Sequence, residues 1–408
     1  MLKVHGIANE EKKIFIIDSK PDENGETKAY HDGKFITITN EEKSLLKKTV
    51  KSDDTEYMLV SKPDNYKGTL QEYYDEFCKD ADELKKASKG TINMYKTGDY
   101  RKTALKLLYD YVNKTDIRPE KIEEYELRFL EHNGGAFRLA EPYEGEMYKY
   151  DSRSYYASIY SSSHCLIPVK KGILKHISQE ELEKKEYFEI GVYHCTIEQP
   201  DGNLKKLVWI NKNNYYTHLE LTYAKSKGLK ITMIEEDFNV LQYPRSYCKV
   251  GSEIFGGFTK YLYHMKSKGI KGAKNLLTNI WGKIIRLNKR IIIHKISDGE
   301  FYLKYDIINT IPLDDDRIEV HILNKKQIFE TNFARMKPFF LAKCRLTMSK
   351  YVEPIIDDVV YSHTDSIISK VPLSHFKDNG KLGDFKYDGM LKNGWIKNYN
   401  SRSKFKHE

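Results

Sequence analysis

The segment VVYSHTDSII (residues 359–368) places a short polar run between two short apolar runs. Apolar, β-branched runs that are separated by a tight polar turn predict a β-hairpin, with Asp365 at its tip. His363 lies two residues earlier and therefore on the same side of the chain. Taken alone, Asp365 also fits a turn residue that makes local hydrogen bonds, which is common in hairpins.

A second acid stands at the end of a predicted strand far upstream. Met147–Asp151 is apolar and aromatic and ends in a carboxylate, and the residues that follow, including Ser154 and Tyr156, begin a helix. A carboxylate at a strand end can hold a divalent cation, and the backbone amides of a helix start attract phosphate oxygens. The alternative is that Asp151 caps the helix, which is the commoner role of an isolated Asp.

A cationic helical run lies between the two acids. Lys274, Thr278 and Trp281 recur at i, i+4 and i+7 and share one face, while the apolar positions 277, 280 and 284 share the predicted core face. Lys271 and two further lysines, Lys266 and Lys268, add positive charge just before this helix. A lysine on such a face is usually solvated, but a helix with this pattern can also bring a lysine to a triphosphate.

Composition limits the class of protein. The 408 residues suffice for two or three domains, and 68 Lys and Arg against 59 Asp and Glu give a net charge of +9, which suits a polyanionic partner. Five scattered cysteines without CxxC spacing argue against a zinc site or a disulfide framework and favour a reducing compartment. No apolar stretch reaches membrane-spanning length, so we predict an intracellular, soluble protein with no membrane partner.

Periodicity along the chain predicts an α+β fold. The predicted helices are Leu70–Ala87, Lys102–Asn113, Thr217–Lys227, 252–288 (interrupted around Lys266–Gly272) and 329–352. The predicted strands are Lys13–Ile17, Phe35–Ile38, Tyr57–Val60, the strand that ends at Asp151, several within 187–250 and 291–325, and the hairpin within 355–370.

In this order, the three segments resemble the three polymerase motifs of family B DNA polymerases, and they are most similar to the protein-primed branch of phages, adenoviruses and linear plasmids. The first motif, DxxSLYP, is matched at Asp151, Ser154 and Tyr156. The second, KxxxNSxYGK, is matched at Lys274 and at positions 282 and 283. The third, YxDTDS, is matched by residues 361–366 except at His363.

Weaker matches extend the resemblance to about residues 70–400. HNGG (132–135) resembles the YxGG segment that joins the exonuclease and polymerase domains, and LGDFKY (382–387) resembles the stretch after the catalytic hairpin. KNY (397–399) resembles the KxY motif that grips the primer, and FCKD (77–80) resembles the last exonuclease motif.

The resemblance implies a role for each matched residue. Asp151 and Asp365 are the expected catalytic carboxylates and ligands of two Mg²⁺ or Mn²⁺ ions, and Tyr156 is the expected steric gate against a ribose 2′-hydroxyl. The other expected nucleotide-binding residues are Ser154, Lys271, Lys274, Thr278 and Trp281. The expected DNA-binding residues are Gly134, Gly135, Lys283, Tyr361, Ser366, Lys397 and Tyr399. His363 could serve as a further metal ligand, although an imidazole favours Mn²⁺ and lacks the carboxylate charge.

The implied architecture is a right-hand polymerase with an antiparallel palm sheet, helical fingers and a minimal thumb. Its expected parts are a reduced exonuclease-like region (1–130), a palm (131–251 and 291–392) with a terminal-protein-type insertion at about 187–250, fingers (252–290) and a thumb stub (393–408). The first part is too short for a complete exonuclease, and Asp18 is followed by Ser-Lys rather than by the required acid. We therefore expect no proofreading and place Asp80 on the surface of a helix.

The sequence thus predicts a DNA-directed DNA polymerase that replicates a viral or plasmid genome. The expected partners are primer-template DNA and dNTPs, with a terminal protein or a separate exonuclease or thumb subunit as further candidates. The alternative is a catalytically impaired, polymerase-derived protein that binds nucleic acid or a replication partner, which His363 and the missing thumb favour.

Overall fold

The computed structural model describes residues 1–4, 6–20, 22, 26–39, 49–52, 55–132, 134–298 and 306–405. Asn133 of the HNGG segment and residues 299–305, within the segment 291–325 predicted to contain strands, lie outside these residues. The chain forms two compact units: the first comprises 1–116 and 257–283, and the second comprises 117–256 and 284–408.

The helices of the described residues are α1 (Leu70–Ala87), α2 (Met94–Thr97), α3 (Tyr100–Val112), α4 (Leu127–Glu131), α5 (Tyr155–Tyr160), α6 (Gln179–Glu183), α7 (Leu204–Leu207), α8 (His218–Ser226), α9 (Gly251–Ser267), α10 (Lys271–Ile284) and α11 (Lys337–Val352). The strands are β1 (Lys13–Ile17), β2 (Glu26–His31), β3 (Lys34–Thr39), β4 (Thr49–Ser52), β5 (Thr55–Ser61), β6 (Arg138–Ala140), β7 (Tyr143–Ser152), β8 (Leu166–Pro168), β9 (Ile173–Lys175), β10 (Gly191–Ile197), β11 (Tyr215–Thr217), β12 (Ile231–Met233), β13 (Val240–Gln242), β14 (Cys248–Val250), β15 (Lys289–Lys295), β16 (Ile307–Pro312), β17 (Arg317–Leu323), β18 (Val359–His363), β19 (Ser366–Ser369), β20 (Phe385–Asn398) and β21 (Ser401–Arg402).

The first unit is built on a five-stranded sheet in the order β3-β2-β1-β5-β4, in which β1 and β5 run parallel. Four consecutive residues of β1, 14–17, are buried, as expected of a central strand with both faces covered. Helix α1 packs against β1 and β2. Its start is fixed by a capping box, in which Thr69 accepts from the Glu72 amide and the Glu72 side chain accepts from the Thr69 amide.

Asp18 follows β1, as predicted, and its carboxylate pairs with Lys62, whose Nζ lies 3.4 Å away. Asp80 was expected on the surface of α1, and that prediction is wrong, because only 4% of the residue is exposed. The prediction failed because the hydrophobic periodicity of a helix does not show which other helix packs over one of its polar residues.

The second unit contains a six-stranded sheet in the order β21-β20-β7-β19-β18-β6. Neighbouring strands are antiparallel throughout. Strand β7 lies in the middle of this sheet, and the hairpin β18–β19 lies beside it. The antiparallel sheets and accompanying helices agree with the predicted α+β class.

Two further groups of strands belong to the second unit. Strands β9, β10, β11, β12 and β13 form a sheet around β10, and a hydrophobic core between residues 177 and 240 packs on it. This sheet and core overlap the segment at about 187–250 that was predicted as an insertion, but they begin before it. Strands β15, β17 and β16 form a three-stranded antiparallel sheet.

The unit boundaries differ from the boundaries expected from sequence. The first unit ends at 116 rather than 130, and it includes most of the segment expected as fingers. The segment 393–408 was predicted as a thumb stub, and β20 runs through its first residues. Trp395 and Ile396 pair there with β7, so this part of the segment belongs to the six-stranded sheet.

Two buried ion pairs tie the second unit together. Arg335 and Glu126 are both fully buried, with Nε donating to the carboxylate over 2.8 Å, and Arg335 also donates to the Lys121 carbonyl. Arg345 and Glu220 form the second pair. A buried charge is tolerated only when it is paired and hydrogen-bonded, so each pair fixes the elements that carry it.

The five cysteines are free, as predicted, and four of them are buried. Among the described residues, no helix combines the length and the apolarity that crossing a membrane requires.

Candidate active site

The hairpin predicted from sequence is confirmed. Strands β18 and β19 pair up to His363 and Ser366, which leaves Thr364 and Asp365 as a two-residue turn. Thr364 takes up a left-handed conformation with φ 59°, and the Asp365 amide donates to the His363 carbonyl over 2.7 Å. The Thr364 amide donates to the Phe137 carbonyl over 3.1 Å, which ties the tip to the chain beside β6.

The register of the sheet aligns five side chains across its strands. Arg138 of β6 pairs with His363 of β18, His363 with Ser366 of β19, Ser366 with Asp151 of β7, and Asp151 with Lys386 of β20. Directly paired residues of an antiparallel sheet point to the same face, with Cα atoms about 5 Å apart. The row therefore brings His363 and Ser366 to the face that carries Asp151.

The two predicted carboxylates come from adjacent backbones. The Ser152 amide donates to the Asp365 carbonyl over 2.8 Å, and Ser366 pairs directly with Asp151. Both acids are half-buried. Within the described residues there is no group of three or more His, Cys, Asp and Glu side chains arranged to hold a metal ion. Asp151 and Asp365 offer carboxylate oxygens, and oxygen donors of this kind suit Mg²⁺ or Mn²⁺.

Tyr156 reaches the same turn from α5. Its ring packs edge-on against Phe340, with 5.2 Å between ring centroids, and its side chain is hydrogen-bonded to that of Thr364. Burial, followed by the nearby Cys344 and Asp365, raises the pKa of Tyr156 to about 12. The phenol therefore stays neutral near the acids. Ser154, which precedes α5, has a left-handed backbone with φ 50° and forms no side-chain cap on the helix.

His363 lies in cationic surroundings. Burial, and then Arg138 and Arg402, lower the pKa of its imidazole, so the ring is neutral at pH 7. The Arg402 guanidinium lies 4.8 Å from the centroid of the Tyr361 ring, and Tyr361 is only 4% exposed. Neither arginine was singled out from sequence, because only the register of β6 and β21 brings them to the hairpin.

The loop after Asp151 is held by the LGDFKY segment. Ser152 Oγ donates to the Gly383 carbonyl over 3.0 Å, and the Arg153 amide donates to the Asp384 carbonyl over 2.9 Å. The Arg153 guanidinium binds both carboxylate oxygens of Asp378, at 2.7 and 2.6 Å, and lowers the pKa of that acid to about 2. The loop that presents Asp151 is therefore fixed from the C-terminal segment.

The glycine pair is held by α11. Arg345 donates to the Gly135 carbonyl over 2.5 Å, and Gly135 has a φ of 110°, which favours glycine. The Arg345 guanidinium also lies 3.8 Å from the centroid of the Trp209 ring. Gly134 is exposed beside them. Arg345 was not predicted, because a single arginine in an apolar helix carries no periodic signal.

The remaining predicted DNA-binding residues of this unit lie at the end of β20. Lys397 and Tyr399 are exposed, and the Lys397 amine lies 5.6 Å from the centroid of the Trp395 ring. Lys397 belongs to the same sheet as Asp151, and Tyr399 lies in the turn between β20 and β21, whereas Gly134 and Gly135 lie in the loop before β6.

The predicted residues of the cationic helix belong to the first unit, on α10 up to Lys283. The predicted interruption around Lys266–Gly272 is present but shorter, since α9 continues to Ser267 and α10 begins at Lys271. Lys271, Lys274 and Thr278 are exposed, as expected of a face open to a ligand. Trp281 is only 9% exposed, so its expected place on that face is wrong and its ring belongs to the packed side of the helix.

No protein-family model matches the chain, and no curated protein is similar to it in sequence. Solved structures are similar in fold. Phi29 DNA polymerase complexed with single-stranded DNA matches at 17% identity with a TM-score of 0.53, over 97% of this chain and 72% of that chain. The complex of Phi29 DNA polymerase with primer-template DNA and incoming nucleotide substrates matches at 17% identity with a TM-score of 0.52, over 97% of this chain and 73% of that chain. The chain therefore has a DNA-polymerase-like α+β fold.

Proposed function

We propose that the protein is a DNA-directed DNA polymerase that joins dNTPs to a primer 3′-hydroxyl on a DNA template. The observation that carries this proposal is the placement of Asp151 and Asp365 on adjacent backbones of one sheet, bridged by the bond from the Ser152 amide to the Asp365 carbonyl. The fold similarity to a DNA polymerase supports the same reading of the two acids.

The two carboxylates fit a pair of divalent cations, Mg²⁺ or Mn²⁺, because each offers oxygen ligands from a rigid backbone. When bound, such ions lower the pKa of the primer 3′-hydroxyl and neutralise charge on the triphosphate. The chain itself supplies the orientation: Arg153 and Gly383 hold the loop that carries Asp151, and the two-residue turn holds Asp365.

Tyr156 is proposed as the residue that excludes a ribose 2′-hydroxyl. Its ring is fixed by Phe340 and by the bond to Thr364, so a bulky, neutral side chain stands next to Asp365. Lys274, with Lys271 and Thr278, is proposed to meet the triphosphate from the exposed face of α10, which would serve as the fingers. Lys397 and Tyr399, which are exposed, are proposed to contact primer-template DNA. Tyr361 and Ser366 are buried and are proposed to hold the geometry of the hairpin against the primer.

Finer parts of the proposal come from the motif resemblance. We assign the chain to the protein-primed branch of family B, with a terminal protein as a partner, no proofreading, and replication of an intracellular viral or plasmid genome. The segment at about 187–250 is proposed as the terminal-protein-type insertion, and the six-stranded sheet as the palm.

Primer extension tests the proposal. A primed template, all four dNTPs and either Mg²⁺ or Mn²⁺ are incubated with excess wild-type protein, with Asp365→Asn, or with the control Asp201→Asn, whose side chain is fully exposed. We expect extension by wild type and control, and a loss of at least about 100-fold in Asp365→Asn, since one charged ligand is removed. If the wild type extends no primer with either metal, the polymerase proposal is wrong.

One observation favours a second candidate, a polymerase-derived protein that binds DNA without catalysis. The third motif carries a neutral His363 opposite Arg138, so the hairpin is more cationic than a site with two acids. Salt-dependent binding of primer-template DNA by wild type, together with no extension under any metal, would support this candidate.

A further inference from the structure

Asp80 is a buried acid outside the proposed active site. It lies on α1, the helix that covers β1 and β2, and only 4% of it is exposed. Burying a carboxylate is costly unless hydrogen bonds replace its water, so its partners define what it does. Within the described residues, Asp80 is not part of any group of three or more His, Cys, Asp and Glu side chains that could hold a metal ion.

Its partners are two neutral donors from other helices. Oδ2 of Asp80 accepts from the Tyr100 hydroxyl over 2.8 Å and from Nδ2 of Asn275 over 3.1 Å. Tyr100 is the first residue of α3, and Asn275 lies in the first part of α10. A single carboxylate oxygen thus joins three helices of the first unit.

Helices α1 and α10 are also in contact at Gly272. A Cβ added to Gly272 would lie 2.6 Å from Cδ1 of Leu84 and 3.3 Å from Cβ of Asp80. A side chain at position 272 would require Leu84 to move, so the first turn of α10 packs against α1. The bond from Asn275 to Asp80 then fixes the rotation of α10 about its own axis.

That rotation determines which residues of α10 are exposed. Lys274 is next to Asn275, and about 100° separates successive residues of an α-helix, so pointing Asn275 at α1 turns Lys274 outward. Thr278 lies one turn beyond Lys274 and donates to its carbonyl over 3.0 Å, on the same exposed face. Burial raises the pKa of Asp80, and the bonds from Tyr100 and Asn275 oppose that shift.

We propose that Asp80 is a positioning residue for nucleotide binding, which it serves by anchoring Asn275 and so fixing the face of α10 that carries Lys274 and Thr278. This inference rests on the proposed polymerase function. It also assigns a structural task to the acid that the motif resemblance would place in an exonuclease site.

The test compares Asp80→Ala, Asp80→Asn and a control, Asp75→Ala, which removes an exposed acid from the same helix. Asn retains an amide oxygen that can accept from Tyr100 and Asn275, whereas Ala removes the acceptor. Hydrogen exchange of the backbone amides of 271–284 is measured first, because it requires no catalysis. We expect exchange there to be about tenfold faster in Asp80→Ala, and unchanged in Asp80→Asn and in the control.

Steady-state incorporation of a single nucleotide is measured next. We expect Asp80→Ala to raise KM for the dNTP about tenfold with less than about a twofold change in kcat, and Asp80→Asn to restore KM, since one anchored interaction is lost. If exchange responds as expected but the wild type extends no primer, the anchor stands and the polymerase function fails.

Two outcomes would overturn the inference. One is that exchange over 271–284 in Asp80→Ala equals that of Asp75→Ala. The other is that Asp80→Asn removes a metal-dependent degradation of single-stranded DNA while KM stays unchanged, which would make Asp80 an exonuclease ligand.

Discussion

Replacing Arg345 with Met is expected to destabilise the second unit strongly. Arg345 is 1% exposed and donates through Nε to Glu220 over 3.1 Å and through Nη1 to the Gly135 carbonyl over 2.5 Å. Glu220 is itself buried, and its other carboxylate oxygen completes the capping box of α8 with Thr217. Met fills part of the volume but satisfies none of these acceptors.

The magnitude follows from what remains in the variant. A buried Glu220 that has lost its cation costs about 3–5 kcal/mol. The stacking of the guanidinium on Trp209, at 3.8 Å, adds about 1 kcal/mol, and the packing of the Met side chain offsets a similar amount. The expected loss is therefore about 4 kcal/mol, a large share of the roughly 5–15 kcal/mol of a typical domain.

Urea unfolding followed by tryptophan fluorescence measures this loss. With a slope of about 3 kcal/mol per molar urea, the midpoint of the transition should fall by about 1.3 M. Lys350→Met is the matched control, because Lys350 is exposed on the same helix, and its midpoint should stay within about 0.2 M of wild type. Adding Glu220→Gln to Arg345→Met should recover part of the loss, because it removes the unpaired charge.

The reasoning is refuted if Arg345→Met lowers the midpoint no more than Lys350→Met does. It is also refuted if Glu220→Gln further destabilises the Arg345→Met background, since the cost would then not come from an unpaired carboxylate.

Three further predictions concern pH, the loop after Asp151 and the third motif. Burial lowers the pKa of His218 to about 4 from its ordinary 6.5, so between these pH values the unfolded chain binds a proton that the folded chain does not, and the free energy of unfolding falls as the pH falls. His218→Leu should therefore reduce the stability lost between pH 7 and pH 4 by up to about 3 kcal/mol, measured by urea unfolding at both pH values. Gly383 has a φ of 89°, and an added Cβ would lie 3.1 Å from Cβ of Ser158. Gly383→Ala should therefore lower the free energy of unfolding by about 1–3 kcal/mol, and an unchanged melting temperature would contradict this prediction. His363→Asp places a carboxylate between Arg138 and Ser366, and it should raise Mg²⁺-supported primer extension relative to Mn²⁺-supported extension; an unchanged ratio of the two rates would show that position 363 does not face the ions.

The local sequence pattern was sufficient to predict a helix, strand or turn wherever residues that are neighbours in sequence determine it. Helix α1 has the predicted bounds because a capping box starts it, and the hairpin was recognised because the apolar runs flank a two-residue polar turn. The strand ending near Asp151 and the strand Lys13–Ile17 were recognised for the same reason. Each of these signals lies within about ten residues of the chain.

Prediction failed where a distant segment covers a residue. Trp281 has the spacing of an exposed face but is buried, and Asp80 has the chemistry of a surface acid but accepts bonds from two other helices. The end of β20 was assigned to a thumb stub, because residues 393–398 show a strand pattern only when β7 pairs with them. Asn275 lies 195 residues from Asp80 along the chain, and Lys149 of β7 lies 239 residues from Asp388 of β20.

The sequence by itself determined the hairpin that carries Asp365, the strand that carries Asp151, and the chemistry that two acids and a cationic helix favour. Only the tertiary structure decided that the acids arise from adjacent backbones, that Arg138 pairs with His363, and that Asp80 holds Asn275. The reason is physical: strand and turn formation depends on local residues, whereas strand register and helix rotation depend on contacts between distant segments, here 195 or more residues apart.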